Sequence, residues 1–457
     1  MRIRITPGGR LQGDVAVPGD KSISHRWLLL AATASGSSRL VDLSTSLDVR
    51  SMASCLAAVS GHARPALEAW ASNDPALPQG HGSTWNLAPS GSADFPLEVQ
   101  GEGRSALVPP AAALDCGNAG TAMRLLAGAL AGAPFRAVLT GDVSLSGRPM
   151  ERVAAPLRAM GARIETTEGH APLMIDGAPL HGIAFDSPVP SAQVKGAVLL
   201  AGLGAEGHTV VREPAPTRDH TERALAALGA RIETTKDGIG VEPFQHEGFA
   251  ARCPGDPSSA AFLIAAAALT GSRITVTGVG LNPTRTHYLD VMRRMGIETK
   301  AHVERGELGE PVGSLEVEAC DGIGPTRITA DELPLVIDEV PVLALLAAHA
   351  KGDSWFLQAG ELRHKESDRL EAVAGGIRDL GGHAAAEGDD LVVAGGGLNG
   401  GAGDAGGDHR MAMAFAVAAL AAERPCEVEG MESADVSFPG FVPLLQRMGA
   451  TIEVLDP

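Results

Sequence analysis

Four short polar stretches carry residue types that could hold anions and move protons. The first is Gly19-Asp20-Lys21-Ser22-Ile23-Ser24-His25-Arg26, followed by an apolar, Ala-rich run from Leu28 to Ala34. It reads as a polar loop entering the N-terminus of a buried helix. The free N–H groups and partial positive charge of that terminus, with Lys21 and Arg26, suit a phosphate or a carboxylate. Taken alone, the stretch reads equally well as a capped helix with two solvated charges. Three others share its form. Gly117-Asn118-Ala119-Gly120-Thr121 leads into Met123 to Ala127, Gly255-Asp256-Pro257-Ser258-Ser259 into Ala260 to Leu269, and Gly407-Asp408-His409-Arg410 into Met411 to Leu420. Helices apolar nearly all round belong inside a domain. Their polar first turns must then emerge somewhere shared, and a cleft for an anionic ligand is the simple explanation.

Two carboxylates stand out less clearly. Asp338, in Leu335-Val336-Ile337-Asp338-Glu339-Val340-Pro341, reads by itself as a helix N-cap ahead of Pro341. Glu366 lies in the charge-dense run Glu361 to Arg369, which by itself reads as a solvated face.

The chain has 457 residues, too many for one ordinary core, so two or three domains are expected. Net charge is −18, which argues against nucleic acid or an anionic membrane as a partner. An anionic ligand therefore needs a local basic pocket, because the global field repels it. Lysine is scarce, which gives Lys21 and Lys365 weight. Cys55, Cys116, Cys253, Cys320 and Cys426 are odd in number and widely spaced, which fits a reducing compartment and no zinc site. Met1 to Val17 alternates like a strand and has no apolar signal core, and no run reaches the ~18 apolar residues of a membrane span. A cytoplasmic protein is expected.

A repeat constrains the fold further. Leu or Met, then Gly, then a strand-like run occurs at Met160-Gly161-Ala162-Arg163-Ile164-Glu165 and Leu228-Gly229-Ala230-Arg231-Ile232-Glu233. It recurs at Met295-Gly296-Ile297-Glu298, Leu380-Gly381-Gly382-His383 and Met448-Gly449-Ala450-Thr451-Ile452-Glu453, with a weaker first copy at Val59-Ser60-Gly61-His62. The glycine reads as a left-handed residue closing a helix before a strand. Six copies of one α/β unit of roughly 70 residues mean a repeat architecture, three units to a domain. Arg64 to Pro110 reads as an inserted surface loop with one strand near Phe95 to Val99. Gly395 to Gly407 reads as a linker or a mobile loop beside a site.

Five motifs in order then resemble one family. They are Lys21-Ser22-x-x-x-Arg26, Gly117-Asn118-Ala119-Gly120-Thr121-Ala122-Met123-Arg124, Ser146-Gly147-Arg148-Pro149-Met150, Lys365-Glu366-Ser367-Asp368-Arg369-Leu370 and Asp408-His409-Arg410-Met411-Ala412. Across nearly the whole chain they resemble the EPSP synthases, the 3-phosphoshikimate 1-carboxyvinyltransferases. The resemblance implies a two-domain, inside-out α/β barrel, each domain three βαβαββ repeats with buried helices and outer sheets. It implies domains at 18–253, binding shikimate 3-phosphate, and at 1–17 plus 254–457, contributing phosphoenolpyruvate-binding and catalytic residues. It also implies transfer of the enolpyruvyl group of phosphoenolpyruvate to the 5-hydroxyl of shikimate 3-phosphate, with release of phosphate. Lys21, Ser22, Arg26, Ser191, Ala192, Gln193, Arg218, Asp338 and Lys365 are the implied contacts of shikimate 3-phosphate. Lys21, Gly120, Arg148, Gln193, Arg369 and Arg410 are those of phosphoenolpyruvate, and arginine forks suit both anions. Asp338, Glu366 and Lys21 are the implied catalytic residues. One group must protonate the methylene carbon and another take the hydroxyl proton, and which does which stays open. No cofactor or metal is expected, and the enzyme is expected to be a monomer.

Some positions depart from the best-known branch, where a lysine stands at Val436 and an asparagine at Glu361. Arg218-Asp219-His220-Thr221-Glu222 and Asn282-Pro283-Thr284-Arg285 resemble the other bacterial branch. The inhibitor glyphosate occupies the phosphoenolpyruvate pocket in this family, and tolerant relatives carry alanine at Gly120. Two rival readings are UDP-N-acetylglucosamine enolpyruvyl transferase and a non-catalytic anion-binding repeat protein. The first places a reactive cysteine in a loop that here reads Gly141-Asp142-Val143-Ser144-Leu145-Ser146-Gly147-Arg148-Pro149 without one. Lys21, Asp338 and Glu366 together speak against the second.

Overall fold

The computed structural model describes residues 1–72, 96–236, 238–318 and 322–456. Six buried helices organise it: α1 (Lys21–Thr33), α2 (Gly120–Leu130), α3 (Ala192–Gly202), α4 (Pro257–Leu269), α5 (Val340–Ala348) and α6 (His409–Ala419). All four polar turns picked out in the sequence do open a buried helix. Asp20 caps α1 by accepting the Ile23 N–H at 2.9 Å, Asp256 caps α4 from Ser258 at 2.8 Å, and Asp408 caps α6 from Arg410 at 2.9 Å. Each such cap is worth about 1 kcal/mol. Every residue of α5 and α6 is buried. Their apolar surface has no solvent face, so helices must pack on all sides, as the sequence implied.

The outer layer is six sheets. In one, Ala184–Asp186 runs parallel to Thr209–Arg212, and the hairpin Ile232–Thr235/Gly238–Val241 completes it antiparallel. Leu114–Asp115, Arg136–Thr140, Arg163–Thr167 and His170–Asp176 repeat that order, as do Arg327–Ile328, Ser354–Phe356, His383–Glu387 and Asp390–Ala394. The parallel pair requires a crossover, and a buried helix provides it. Three units borrow a strand from elsewhere in the chain. Gln12–Ala16 pairs with Arg273–Gly280, Ala250–Arg252 with Ser35–Val41, and Arg2–Thr6 enters between Cys426–Glu429 and Thr451–Asp456. The expected buried helices and outer sheets are present, and among the described residues the six sheets are separate rather than joined into one closed barrel.

The repeat glycines behave as read. Gly161, Gly229, Gly296, Gly381 and Gly449 all take positive φ at helix ends, whereas Gly61 does not. Part of the expected insertion is a helix, Arg64–Ser72, anchored by buried Leu67, and its strand is Leu97–Glu102. Residues 73–95, including Phe95, lie outside the described residues, as does Cys320. The glycine-rich stretch holds a strand, Ala402–Asp404.

Buried apolar residues form two clusters. One runs from Ile23 to Cys253; the other joins Ile3 to Val17 with Ala260 to Ile452. The chain passes between them twice, and the crossings lie side by side. Asp20 N donates to the Pro254 carbonyl at 2.8 Å and Asp256 N to the Pro18 carbonyl at 2.9 Å. Gly19 makes this pairing possible, since a Cβ there would sit 2.0 Å from the Asp42 carbonyl oxygen. Backbone must move to relieve such a contact. Gly19→Ala is therefore expected to destabilise the protein by about 1–3 kcal/mol, read as a lower urea midpoint; an unchanged midpoint would show that the crossing is not tightly packed.

Candidate active site

The first turns of the buried helices and the loops beside them meet where the two cores face each other. From the first core, Lys21 in α1 places Nζ 2.7 Å from Asp48 Oδ2. Arg26, one turn on, is turned inward: Nε donates to Thr221 Oγ1 at 2.7 Å and Nη1 to the Ser22 carbonyl at 2.9 Å. Ser191 caps α3, whose first residue is Ala192, and Gln193 donates to Thr121 Oγ1 at 2.8 Å. Gln193 Oε1 accepts from Arg124. Arg148 is held by Asn118 Oδ1 and, at 3.3 Å, by Ser144 Oγ. Asn118 also donates to Asp142 Oδ2 at 2.7 Å, tying two motif loops together.

The second core supplies the acids. Asp338 is surrounded by cations from both cores. Arg218 donates to its Oδ2, Lys365 Nζ lies 3.5 Å from Oδ1, Arg369 Nη1 3.7 Å from Oδ1, and Arg410 Nη2 4.0 Å from Oδ2. Arg410 Nη1 donates to the Asp338 carbonyl at 2.8 Å. Glu366 has Arg369 Nη2 at 2.6 Å on one oxygen and Arg148 Nη1 at 3.7 Å on the other. Ser144 Oγ donates to the Glu366 carbonyl at 3.3 Å. Arg218–Asp338, Arg148–Glu366 and Ser144–Glu366 thus all cross from one core to the other.

Burial alone raises a carboxyl's pKa. At Asp338 that push is overcome by Lys365, Arg218, Arg410 and Arg369, which hold the carboxyl well below the usual carboxylate range. At Glu366 burial is likewise overcome, by Arg369, Arg148 and Lys21. Both acids are ionised while no other anion is present. Arg124 is different. Burial, with Arg152 and Arg148 adding to it, pushes its guanidinium down to about 9. His409, buried beside Lys21, is pushed down to about 3 and stays neutral.

Of the implied site residues, Arg148, Arg218, Asp338, Lys365, Glu366, Arg369 and Arg410 contact one another at this joint. Gly120 and Gln193 lie against Arg124, Lys21 engages Asp48 and Asp256, and Ser22, Arg26, Ser191 and Ala192 are held within the first core. The sequence reading missed Asp48, the partner of Lys21, and gave Arg124 no task. Nothing local marks Asp48; only the fold brings it to Lys21, 27 positions away. Arg369 also holds the frame: its Nε and Nη2 donate to Asp408, the cap of α6, at 2.8 and 3.1 Å. Glu361 pairs with Arg152 of the first core at 3.0 Å. Among the described residues no His, Cys, Asp and Glu cluster could hold a metal ion, and no helix is long and apolar enough to cross a membrane.

Paired carboxylates under converging guanidinium groups, at the joint of two α/β cores, define a group-transfer site for anionic substrates. The profile of one such family, EPSP synthase (3-phosphoshikimate 1-carboxyvinyltransferase), matches residues 5–67 and 93–445, and the chain belongs to that family. It is 45% identical to the 3-phosphoshikimate 1-carboxyvinyltransferase of Halorhodospira halophila, covering 99% of this chain and 97% of that protein. The enzyme of the same name from Methylococcus capsulatus is 44% identical, covering 98% and 97%. The solved EPSP synthase structure from Acinetobacter baumannii superposes with a TM-score of 0.83 at 37% identity, covering all of both chains.

The depressed acids link stability to pH. A carboxyl whose pKa is lower folded than unfolded stabilises the fold above its unfolded pKa, and that contribution is lost as pH falls through the folded value. Wild-type stability is therefore expected to decline as pH drops below about 4.5, the unfolded glutamate range. Glu366→Gln should flatten that decline, measured as urea midpoints against pH. Parallel curves for the two proteins would contradict the ionised state of Glu366.

Proposed function

We infer that this chain transfers the enolpyruvyl group of phosphoenolpyruvate to the 5-hydroxyl of shikimate 3-phosphate and releases phosphate, a step in making aromatic amino acids. Family membership carries the reaction, and the convergence of both cores on Asp338 and Glu366 carries the assignment of residues. Lys21, Ser22, Arg26, Ser191, Ala192, Gln193, Arg218 and Lys365 take shikimate 3-phosphate. Gly120, Arg148, Arg369 and Arg410 take phosphoenolpyruvate, with Lys21 and Gln193 between the two ligands. Arg26 acts partly through Thr221, since its Nε is already engaged there.

The reaction needs a proton on the methylene carbon, which becomes a methyl group, a new bond from the 5-oxygen to C2, and loss of the hydroxyl proton; phosphate then leaves as the methyl group loses a proton and the double bond re-forms. Glu366 is the proton donor in this reading. It is ionised in the free site, so the substrate must change it. The carboxylate and phosphate of phosphoenolpyruvate offset the charge of Arg148 and Arg369, which raises the affinity of Glu366 for a proton. Asp338 takes the hydroxyl proton; its basicity returns when Arg218 and Lys365 turn to the substrate phosphate. The two apolar clusters are the two domains, 18–253 and 1–17 with 254–457, and the paired crossings form their hinge. Closure excludes water and brings the arginines together.

Phosphate release from phosphoenolpyruvate with shikimate 3-phosphate, and none with UDP-N-acetylglucosamine, is the direct test; the reverse pattern would overturn the reading. Asp338→Ala and Glu366→Gln are expected to lower kcat by about 10²–10⁴-fold while shikimate 3-phosphate still binds. Matching losses in turnover and binding would make them binding residues only.

Gly120 opens α2 beside two guanidinium groups. A Cβ there would lie 3.1 Å from Arg124 Nη1 and 3.3 Å from Arg148 Nη1. Alanine must push both aside by a few tenths of an ångström, which shortens the phosphoenolpyruvate pocket. Glyphosate is longer than the substrate, so the wild type should be inhibited competitively with phosphoenolpyruvate. Gly120→Ala should raise the inhibition constant by about tenfold or more, and the substrate's KM by less. A tolerant wild type, or an equally sensitive variant, would show that this residue does not set the pocket length.

A further inference from the structure

One buried guanidinium stands outside the site. Arg285 belongs to the second core and is 2% exposed, so it meets no substrate. Nη1 donates to Asp20 Oδ2 at 2.7 Å, and Nη2 to Asp256 Oδ1 at 2.9 Å and Ser258 Oγ at 2.8 Å. Asp20 caps α1 directly ahead of Lys21. Asp256 caps α4 and also accepts the Lys21 backbone N–H at 3.3 Å. Ser258 Oγ donates in turn to Glu339 Oε1, and Glu339 follows Asp338 in the chain. On the other side, Arg285 Nη1 lies 3.3 Å from Nε2 of His220, two residues beyond Arg218. Asn282, on the same turn, donates at 2.8 Å to both Asp219 Oδ1 and Glu310 Oε2. His220 Nδ1 faces the other Glu310 oxygen at 2.7 Å. A proton on Nδ1 then satisfies the carboxylate and leaves Nε2 to accept from Arg285.

One turn, Asn282 to Arg285, therefore touches the segments that carry Lys21 and Arg218 and reaches the segment that carries Asp338 through Ser258. Two of these belong to the first core and one to the second. We propose that Arg285 is a positioning residue for enolpyruvyl transfer: its fork fixes the spacing of Lys21 and Asp338 across the joint between the cores. This rests on the reading of Lys21 and Asp338 as residues that meet the reacting groups. A planar guanidinium can bridge two carboxylates and a hydroxyl in one rigid geometry, which an ammonium cannot. Misplacing a reacting group by about 1 Å can cost about 100-fold in rate. A plainer role is charge compensation alone, in which Arg285 only neutralises Asp20 and Asp256. The two roles differ in what the folded variant does.

The test compares Arg285→Lys, which keeps the charge and loses the fork, with Ser258→Ala, which keeps the fork and loses its link to Glu339. Both are assayed where circular dichroism shows them folded, alongside the wild type. For Arg285→Lys, positioning predicts a kcat at least about tenfold lower, with the dissociation constant of shikimate 3-phosphate within about threefold of wild type. Ser258→Ala should show a smaller loss in the same direction, of about threefold or more. Folded Arg285→Lys with wild-type kcat and a lowered melting temperature would overturn the proposal in favour of charge compensation. If Arg285→Lys does not fold, Ser258→Ala decides alone, and wild-type kcat there overturns it. Absence of phosphate release by the wild type would instead count against the proposed reaction, so the two failures are distinguishable.

Discussion

Everything in the site depends on holding a crowd of cations in place inside a protein whose net charge is −18. Like charges repel, and burial makes each guanidinium costlier. The structure meets both demands with buried carboxylates. Asp338 stands among Arg218, Lys365, Arg369 and Arg410; Glu366 lies between Arg369 and Arg148; Asp408 grips Arg369 from behind. These carboxylates hold the arginines in one cluster at the joint of the two cores. In the proposed reaction they also supply the chemistry, because an acid kept ionised by cations becomes a proton donor once an anionic substrate draws those cations away.

The fold follows from the same requirement. Several polar chain segments must converge on one small volume, and buried helices deliver them by their first turns. Asp20, Asp256 and Asp408 each cap a helix while engaging a buried arginine. Capping and charge placement are therefore one set of contacts. The sheets outside complete the apolar packing, and Gln12–Ala16 and Ala250–Arg252, the strands that precede the two crossings, are stitched into the second and the first core respectively.

Features written in a few neighbouring residues could be read from the sequence. The polar turns ahead of α1, α2, α4 and α6 were legible, because a polar turn and an apolar run lie next to each other. The left-handed glycines at 161, 229, 296, 381 and 449 were legible for the same reason. Gly61 was not, since a Leu-Gly or Ser-Gly step alone does not fix φ. The helix Arg64–Ser72 was hidden by its single buried residue, Leu67, which leaves little periodicity. Asp48 and Arg285 were hidden more deeply. Their contacts with Lys21 and with Asp20 span 27 and 265 positions, and no local pattern announces them. Glu366 stands out by its motif, but its ionised state comes from groups on both cores, which no local pattern shows.

In the proposed reaction Glu366 must take up a proton when substrate binds. Carbon-13 NMR of protein labelled at the glutamate side-chain carboxyls tests it directly, with Glu366→Gln used to assign the signal. The titration runs from about pH 8 down to about pH 4, first free and then saturated with shikimate 3-phosphate and a phosphoenolpyruvate analogue. The account predicts a Glu366 signal that stays ionised throughout in the free protein and takes up its proton at clearly higher pH in the loaded one. A signal that titrates identically in both would contradict it.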